Sequence, residues 1–338
     1  MIGSIDLLPA QIKQASAEVN KIDIPDDYKK VDNVVINGMG GSGLGAHIIQ
    51  SVFFKKLRVP IANIHSYDLP GVVDKNTLYI ISSYSCNTEE PVGSYEAARK
   101  RGAKILGIAS EGKLANLIKQ GKIPGYVFSP KYNPCNQPRI GIGYSVFGLL
   151  GLLKKCNVIK LSDSDVNHVI SYLEDLKHNF ERKNLTGDNL AKQTADHLSG
   201  SIPVIVAAEF LSGNAHAMAN QINENAKNFS TYHIISELNH HLLEGLRFPA
   251  SNTRNIHFVF FESELYHERN IERIKITKEI LRKNKIDYIS YKLRGTSELT
   301  QSFEALMFGS YVSFYLSMIN GIDPSPIPWV DYFKNQLS

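Results

Sequence analysis

Hydroxyl side chains crowd one short stretch of this sequence. An apolar run, Leu78-Tyr79-Ile80-Ile81, stops at Ser82-Ser83-Tyr84-Ser85-Cys86-Asn87-Thr88 and continues through Glu89-Glu90-Pro91 into Tyr95-Glu96-Ala97-Ala98-Arg99-Lys100. The order is strand, loop, helix. Ser83, Ser85 and Thr88 bring three hydroxyls to a helix start, where free backbone N–H groups and partial positive charge already favour an anion. A phosphate dianion is the natural guest. The plainer alternative is that Thr88 only caps the helix, with Pro91 in its tolerant first turn.

Two further stretches carry suitable residue types. Gly38-Met39-Gly40-Gly41-Ser42-Gly43 follows a β-branched run at 31–36 and opens a helix. Its glycines at 38, 40 and 43 match the dinucleotide-binding spacing. A nicotinamide site also wants an acid closing the next strand, and 61–64 ends in His65-Ser66-Tyr67, so no cofactor is expected. In Asn220-Gln221-Ile222-Asn223-Glu224-Asn225-Ala226-Lys227, Glu224 stands among amides and alanines. A helix there can hold its carboxylate in a partly desolvated cleft, where its pKa would rise toward that of a working base; the commoner fate is a solvated glutamate. His240 and His241 lie on different faces, and with Glu237 they lack the spacing or further ligand of a metal site, so no metal is expected. Arg139, between a proline turn and an apolar helix, reads as a surface arginine or half of a structural ion pair.

The elements that must position these residues alternate. Strands at 31–36, 61–64, 78–81, 104–109 and 126–128 are separated by helices, which predicts an α/β fold with a parallel sheet. After a polar, helix-like connector the order recurs: a strand at 202–207, a turn at Ser212-Gly213-Asn214, a helix from Ala215, strands at 257–261 and 288–291, and an apolar helix at 305–319 placed like 146–153. The offset is about 165–180 residues, so two copies of one unit are expected: an N-terminal domain at 1–155 that binds phosphate, a connector at 156–200, and a C-terminal domain at 201–338 that supplies acid and base.

The chain has 338 residues, 43% hydrophobic and 21% charged, a folded rather than disordered profile. A net charge of +4 with scattered lysines and arginines gives no basis for nucleic-acid binding. Three cysteines without paired spacing suit a reducing compartment. The N-terminus has no signal-like apolar core, and the most apolar segment, 141–153, is short of the roughly 20 residues that span a bilayer. A cytoplasmic protein without membrane partners is expected.

In order along the chain, Gly-Met-Gly-Gly-Ser-Gly (38–43), Ser-Tyr-Ser-x-Asn-Thr (83–88), Pro-Arg (138–139), Glu-Asn-x-Lys (224–227), Asn-His (239–240) and Asp-Tyr-Phe-Lys (331–334) resemble the bifunctional phosphoglucose/phosphomannose isomerases, built from two sugar isomerase (SIS) domains. The resemblance covers nearly the whole chain. It implies that Gly40, Gly41, Ser42, Ser83, Ser85 and Thr88 hold a sugar phosphate. It also implies that Glu224 moves the proton between C1 and C2, that Arg139 steadies the enediolate, and that His240, from a neighbouring subunit, and Lys334 open the sugar ring. Cys86 stands where relatives usually have glycine, and Ser325 where they often have threonine.

The expected activity is metal-independent interconversion of glucose 6-phosphate, and mannose 6-phosphate, with fructose 6-phosphate. The alternatives are a non-catalytic SIS protein that senses a sugar phosphate and, on the glycine turn alone, an oxidoreductase. A homodimer is expected, both because His240 is implied to act across an interface and because the helices at 146–153 and 305–319 need cover.

Overall fold

The computed structural model describes residues 1–84 and 89–337. The first half runs α1 (Ile2–Asp6), α2 (Leu8–Val19), β1 (Asn33–Gly38), α3 (Gly40–Val52), β2 (Ile61–Ile64), β3 (Thr77–Ser83), α4 (Glu89–Gly93), α5 (Tyr95–Lys100), β4 (Lys104–Ala109), α6 (Gly112–Lys119), β5 (Gly125–Val127) and α7 (Ile142–Lys155). Then come α8 (Asp163–Leu176) and α9 (Leu190–Leu198). The second half continues with β6 (Ile202–Ala208), α10 (Ser212–Gln221), β7 (Thr231–Ile235), α11 (Leu238–Gly245), α12 (Asn252–Asn255), β8 (Ile256–Glu262), α13 (Glu268–Lys283), β9 (Asp287–Lys292), α14 (Glu298–Ile319) and α15 (Pro328–Leu337).

All strand pairs are parallel, in the order β2-β1-β3-β4-β5 for the first sheet and β7-β6-β8-β9 for the second. Helices on both faces explain why β3 is buried at every position and reads as a continuous apolar run. Val34 and Ile36 face the main core, while Val35 faces a smaller one with Tyr79, Ile81 and Leu114. β1 is set two residues later than the β-branched run suggested, because its ladder with β3 extends to Gly38 opposite Ser82.

One core runs through both halves. α7 is buried from Ile142 through Leu153, and α14 is buried over most of its length, as expected of helices apolar all round. They meet directly, with the Phe147 and Phe303 rings 4.9 Å apart. Their cover is therefore internal, so these helices, contrary to expectation, need no second subunit. α8, started by a reciprocal Ser162–Asp165 capping box, packs on α2 and α14, and α9 lies along α14.

Ser212-Gly213-Asn214 forms the first turn of α10 instead of a loop. These small and polar residues are there because two helices cross at close range. A Cβ on Gly213 would lie 2.6 Å from the Ile48 Cα of α3. Ser212 Oγ meets Ser51 Oγ at 2.8 Å, and Asn214 Nδ2 donates to the Ser302 carbonyl at 2.7 Å. Among the described residues, no helix is long and apolar enough to cross a membrane.

Candidate active site

In a parallel sheet the crevice for a ligand opens where neighbouring strands send their loops to opposite faces. In the first sheet that point lies between β1 and β3, so the glycine turn and residues 82–84 share one crevice. They are stitched together: Ser42 Oγ accepts the Tyr84 N–H at 2.8 Å, and Ser82 Oγ donates to the Ser42 carbonyl at 3.3 Å. Ser42 and Ser83 are buried, whereas Gly40, at φ +50°, leaves the N-terminus of α3 open. Ser85, Cys86 and Thr88 lie outside the described residues.

The corresponding crevice of the second sheet, between β6 and β8, is already filled. Glu209 Oε1 accepts the His267 N–H at 2.7 Å and Asn270 Nδ2 at 2.8 Å at the start of α13. A carboxylate of the chain itself sits where an anion would bind.

Gly41 connects the first crevice to Arg139. A Cβ at Gly41 would fall 3.0–3.1 Å from Pro138 C and O and Arg139 N, so any larger residue would push the turn off that backbone. Gly41→Ala is expected to push the two apart at a misfit of about 1–3 kcal/mol, raising KM for fructose 6-phosphate about tenfold with a smaller change in kcat. Steady-state kinetics check this; an unchanged KM would remove the turn from the binding site.

Arg139 is not a surface residue; it is half of an ion pair with Glu224 set within a wider hydrogen-bond network. Its side chain is 1% exposed, and each of its three nitrogens donates to a protein acceptor. Nε donates to Asn225 Oδ1 at 2.5 Å, Nη1 to Gln137 Oε1 at 2.7 Å, and Nη2 to the carbonyls of Pro324 at 2.7 Å and Ser325 at 2.9 Å. Nη1 also lies 3.4 Å from Glu224 Oε2. Burial lowers the Arg139 pKa, opposed first by the Glu224 charge, but a guanidinium remains a cation at any working pH. The Ser325 departure touches Arg139 only through a backbone carbonyl, which threonine would supply equally.

Glu224 lies on one wide π-helical turn, Ile222–Ala226, that extends α10 and ends at Lys227 with φ +49°. Such turns insert an extra residue and redirect side chains. Lys227 Nζ closes the turn by donating to the Glu224 carbonyl at 2.8 Å, and it also reaches the Asp323 and Pro324 carbonyls. The Glu224 side chain is 30% exposed. Burial raises its carboxyl above the ordinary value, and the cations of Arg139, Lys227 and Lys334 pull the other way without cancelling this. At 3.4 Å the contact with Arg139 is looser than a tight charge-assisted hydrogen bond, so the carboxylate keeps lone pairs for a proton on carbon.

The crevice, Arg139 and Glu224 thus form one continuous site. Lys334, exposed on α15, is close enough for its charge to act on Glu224, and Asp331 on the same helix acts on Arg139. His240 is exposed on α11, which Asn239 holds to Thr277 of α13 at 2.8 Å. No described hydrogen bond joins His240 to Glu224 or Arg139 within the chain. Residues that sequence reasoning passed over are Gln137, Asn225 and the 323–325 carbonyls; Asn225 alone carried a signal, as part of the Glu-Asn-x-Lys run.

Residues 187–337 match the bacterial phospho-glucose isomerase C-terminal SIS domain. Over its full length the chain is 32% identical to a bifunctional phosphoglucose/phosphomannose isomerase of Caldicellulosiruptor bescii, covering 99% of it. The chain belongs to the bifunctional phosphoglucose/phosphomannose isomerase family. The Thermoplasma acidophilum member is 31% identical, with 90% of each chain covered. Among solved structures, a hypothetical protein from Thermus thermophilus superposes with a TM-score of 0.75 over 99% of this chain and 90% of its own, at 14% identity. Tagatose-6-phosphate ketose/aldose isomerase from Escherichia coli does so at 0.68 over 95% and 93%, at 15% identity. At such identities the superpositions speak for the fold: two parallel sheets flanked by helices.

A cleft of about 660 Å³ at the joint between the halves, lined by residues that include His47, Lys55, Glu209, Ser236 and Glu298, does not include Glu224. Among the described residues, no group of three or more His, Cys, Asp or Glu side chains is placed to hold a metal.

Proposed function

We propose that this chain interconverts glucose 6-phosphate and mannose 6-phosphate with fructose 6-phosphate through an enediolate, without a metal or cofactor. The observation that carries the reading is the Glu224 carboxylate, raised in pKa by burial and 3.4 Å from a fixed guanidinium beside the crevice built by Gly41 and Ser42. Family membership over the whole chain supports the same activity.

The chemistry follows from the groups. The phosphate is held by Gly40, Gly41, Ser42, Ser83, Ser85 and Thr88, fixing the far end of the sugar. His240 and Lys334 shuttle the proton that opens the ring. Glu224 then removes the proton on C2; the C–H electron pair becomes the C1=C2 bond, and negative charge settles on the C1 oxygen. Each nitrogen of Arg139 already donates to a protein partner, so it acts chiefly through its buried, immobile charge. Glu224 returns the proton at C1 as the C2 hydroxyl passes its own proton to the C1 oxygen, giving the ketose. Glucose and mannose differ at C2, and the planar enediolate erases that difference, which is how one base serves both sugars.

Formation of fructose 6-phosphate from each aldose, assayed with a coupled enzyme in the presence of a chelator, tests the reading. Turnover of neither aldose would overturn it and favour the sensing alternative.

The reading includes a homodimer in which the exposed His240 enters the partner's site. Glu224→Gln and His240→Ala chains, each inactive alone, should recover activity when mixed and allowed to exchange, because a mixed dimer has one site with Glu224 and His240 both intact. No recovery after demonstrated exchange would place His240 in its own chain's site.

A further inference from the structure

Asn225 follows Glu224 in sequence and is completely buried, yet it has no part in the chemistry above. A guanidinium only donates, so the 2.5 Å contact with Arg139 Nε orients the Asn225 amide with Oδ1 toward Arg139. Its Nδ2 is then turned to α14, where it donates to Ser313 Oγ at 2.9 Å, and that hydroxyl donates onward to the Ser310 carbonyl at 2.9 Å. One turn earlier Gln221 Nε2 is shared between the Arg139 carbonyl at 3.0 Å and Ser310 Oγ at 2.9 Å. Two rungs therefore tie the Glu224 turn and the backbone and side chain of Arg139 to one buried helix. The extra residue of the π-helical turn is what allows two successive side chains to grip one guanidinium, Glu224 at Nη1 and Asn225 at Nε.

We propose that Asn225 is a positioning residue for the isomerisation: anchored on Ser313, it holds the Arg139 guanidinium at the Glu224 carboxylate, and it does so as a neutral group. This rests on the isomerase reading above. Neutrality matters because Arg139 is the largest cationic influence on Glu224. The other charges around Glu224 are Lys227 at the end of its own turn and Lys334 on α15; Asp331 of α15 faces Arg139, and Asp323 faces Lys227. A second carboxylate at 225 would share the Arg139 charge that Glu224 now has almost to itself. The shape of an aspartate fits, since Ser313 Oγ can donate to it by turning its hydroxyl.

Three variants test this against the wild type. Asn225→Ala should keep KM for fructose 6-phosphate within about threefold and lower kcat about a hundredfold, the loss expected when a reacting group is misplaced by an ångström. Asn225→Asp should move the acid limb of the kcat/KM profile upward by about one pH unit, because added negative charge beside Arg139 makes Glu224 harder to ionise. Ser313→Ala, which loosens only the anchor, should lower kcat by a few-fold and covers the case in which Asn225→Ala does not fold. A folded Asn225→Ala with kcat within twofold of wild type, or an Asn225→Asp acid limb superimposed on the wild-type one, would overturn the assignment. Both outcomes are read against an active wild type; a wild type that converts neither aldose overturns the isomerase reading instead.

Discussion

Glu224→Gln should lower kcat by at least about a hundredfold while leaving sugar-phosphate affinity nearly unchanged, since positioned acid–base groups contribute on the order of a hundred- to ten-thousandfold. The substitution preserves shape and leaves an oxygen facing Arg139 Nη1, but it removes the only lone pair basic enough to take a proton from carbon. Exchange of the C2 hydrogen with deuterated solvent should stop, which isolates proton abstraction from ring opening. The pH dependence is a second signature. Burial raises the Glu224 pKa, so the wild-type enzyme should lose kcat/KM as pH falls through a value above the ordinary 4.5 of a glutamate. That acid limb should be absent from the residual activity of Glu224→Gln. Wild-type turnover and exchange in this variant would put the base elsewhere.

Arg139→Gln is the other large expected loss, about a hundred- to a thousandfold in kcat, the range seen when a preorganised stabiliser of an oxyanion is removed. It should act differently on pH. Without the largest cation opposing burial, the Glu224 pKa rises further, and the acid limb moves to higher pH instead of disappearing. It should also destabilise the fold. Arg139 satisfies Asn225 Oδ1 and the Ser325 carbonyl, and each acceptor left unpaired costs about 1–3 kcal/mol, whereas the Pro324 carbonyl keeps its bond from Lys227. A thermal melt beside the kinetics separates the two effects: kinetics near wild type in a variant that melts early would make Arg139 purely structural.

The sequence alone identified the crevice and the base as candidates because both rest on local chemistry. Leu78-Tyr79-Ile80-Ile81 ending in hydroxyls, and β-branched residues ending in Gly38 to Gly43, each describe a strand, a turn and a helix start within a few residues, and parallel strands in α/β units then bring such turns to one edge. Glu224 stood out for its neighbours in the chain. The two-copy order was legible for the same reason, as a recurrence of local patterns, and the motif order was specific enough to point to the family.

The sequence allowed an ion pair at Arg139, but its burial was not legible because nothing near it in sequence accounts for it. Asn225 is 86 residues away, and the Pro324 and Ser325 carbonyls are 185 and 186 away. Backbone carbonyls have no sequence signature at all. Ser212-Gly213-Asn214 looked like a turn because small polar residues usually make one, whereas here they let α10 cross α3 against Ile48. The apolar helices looked in need of a partner until α7 and α14 proved to cover each other. Side-chain periodicity and turn chemistry determine which elements form and where they end. Where a buried charge finds its partners depends on which distant segments pack against it, and only the tertiary structure decides that.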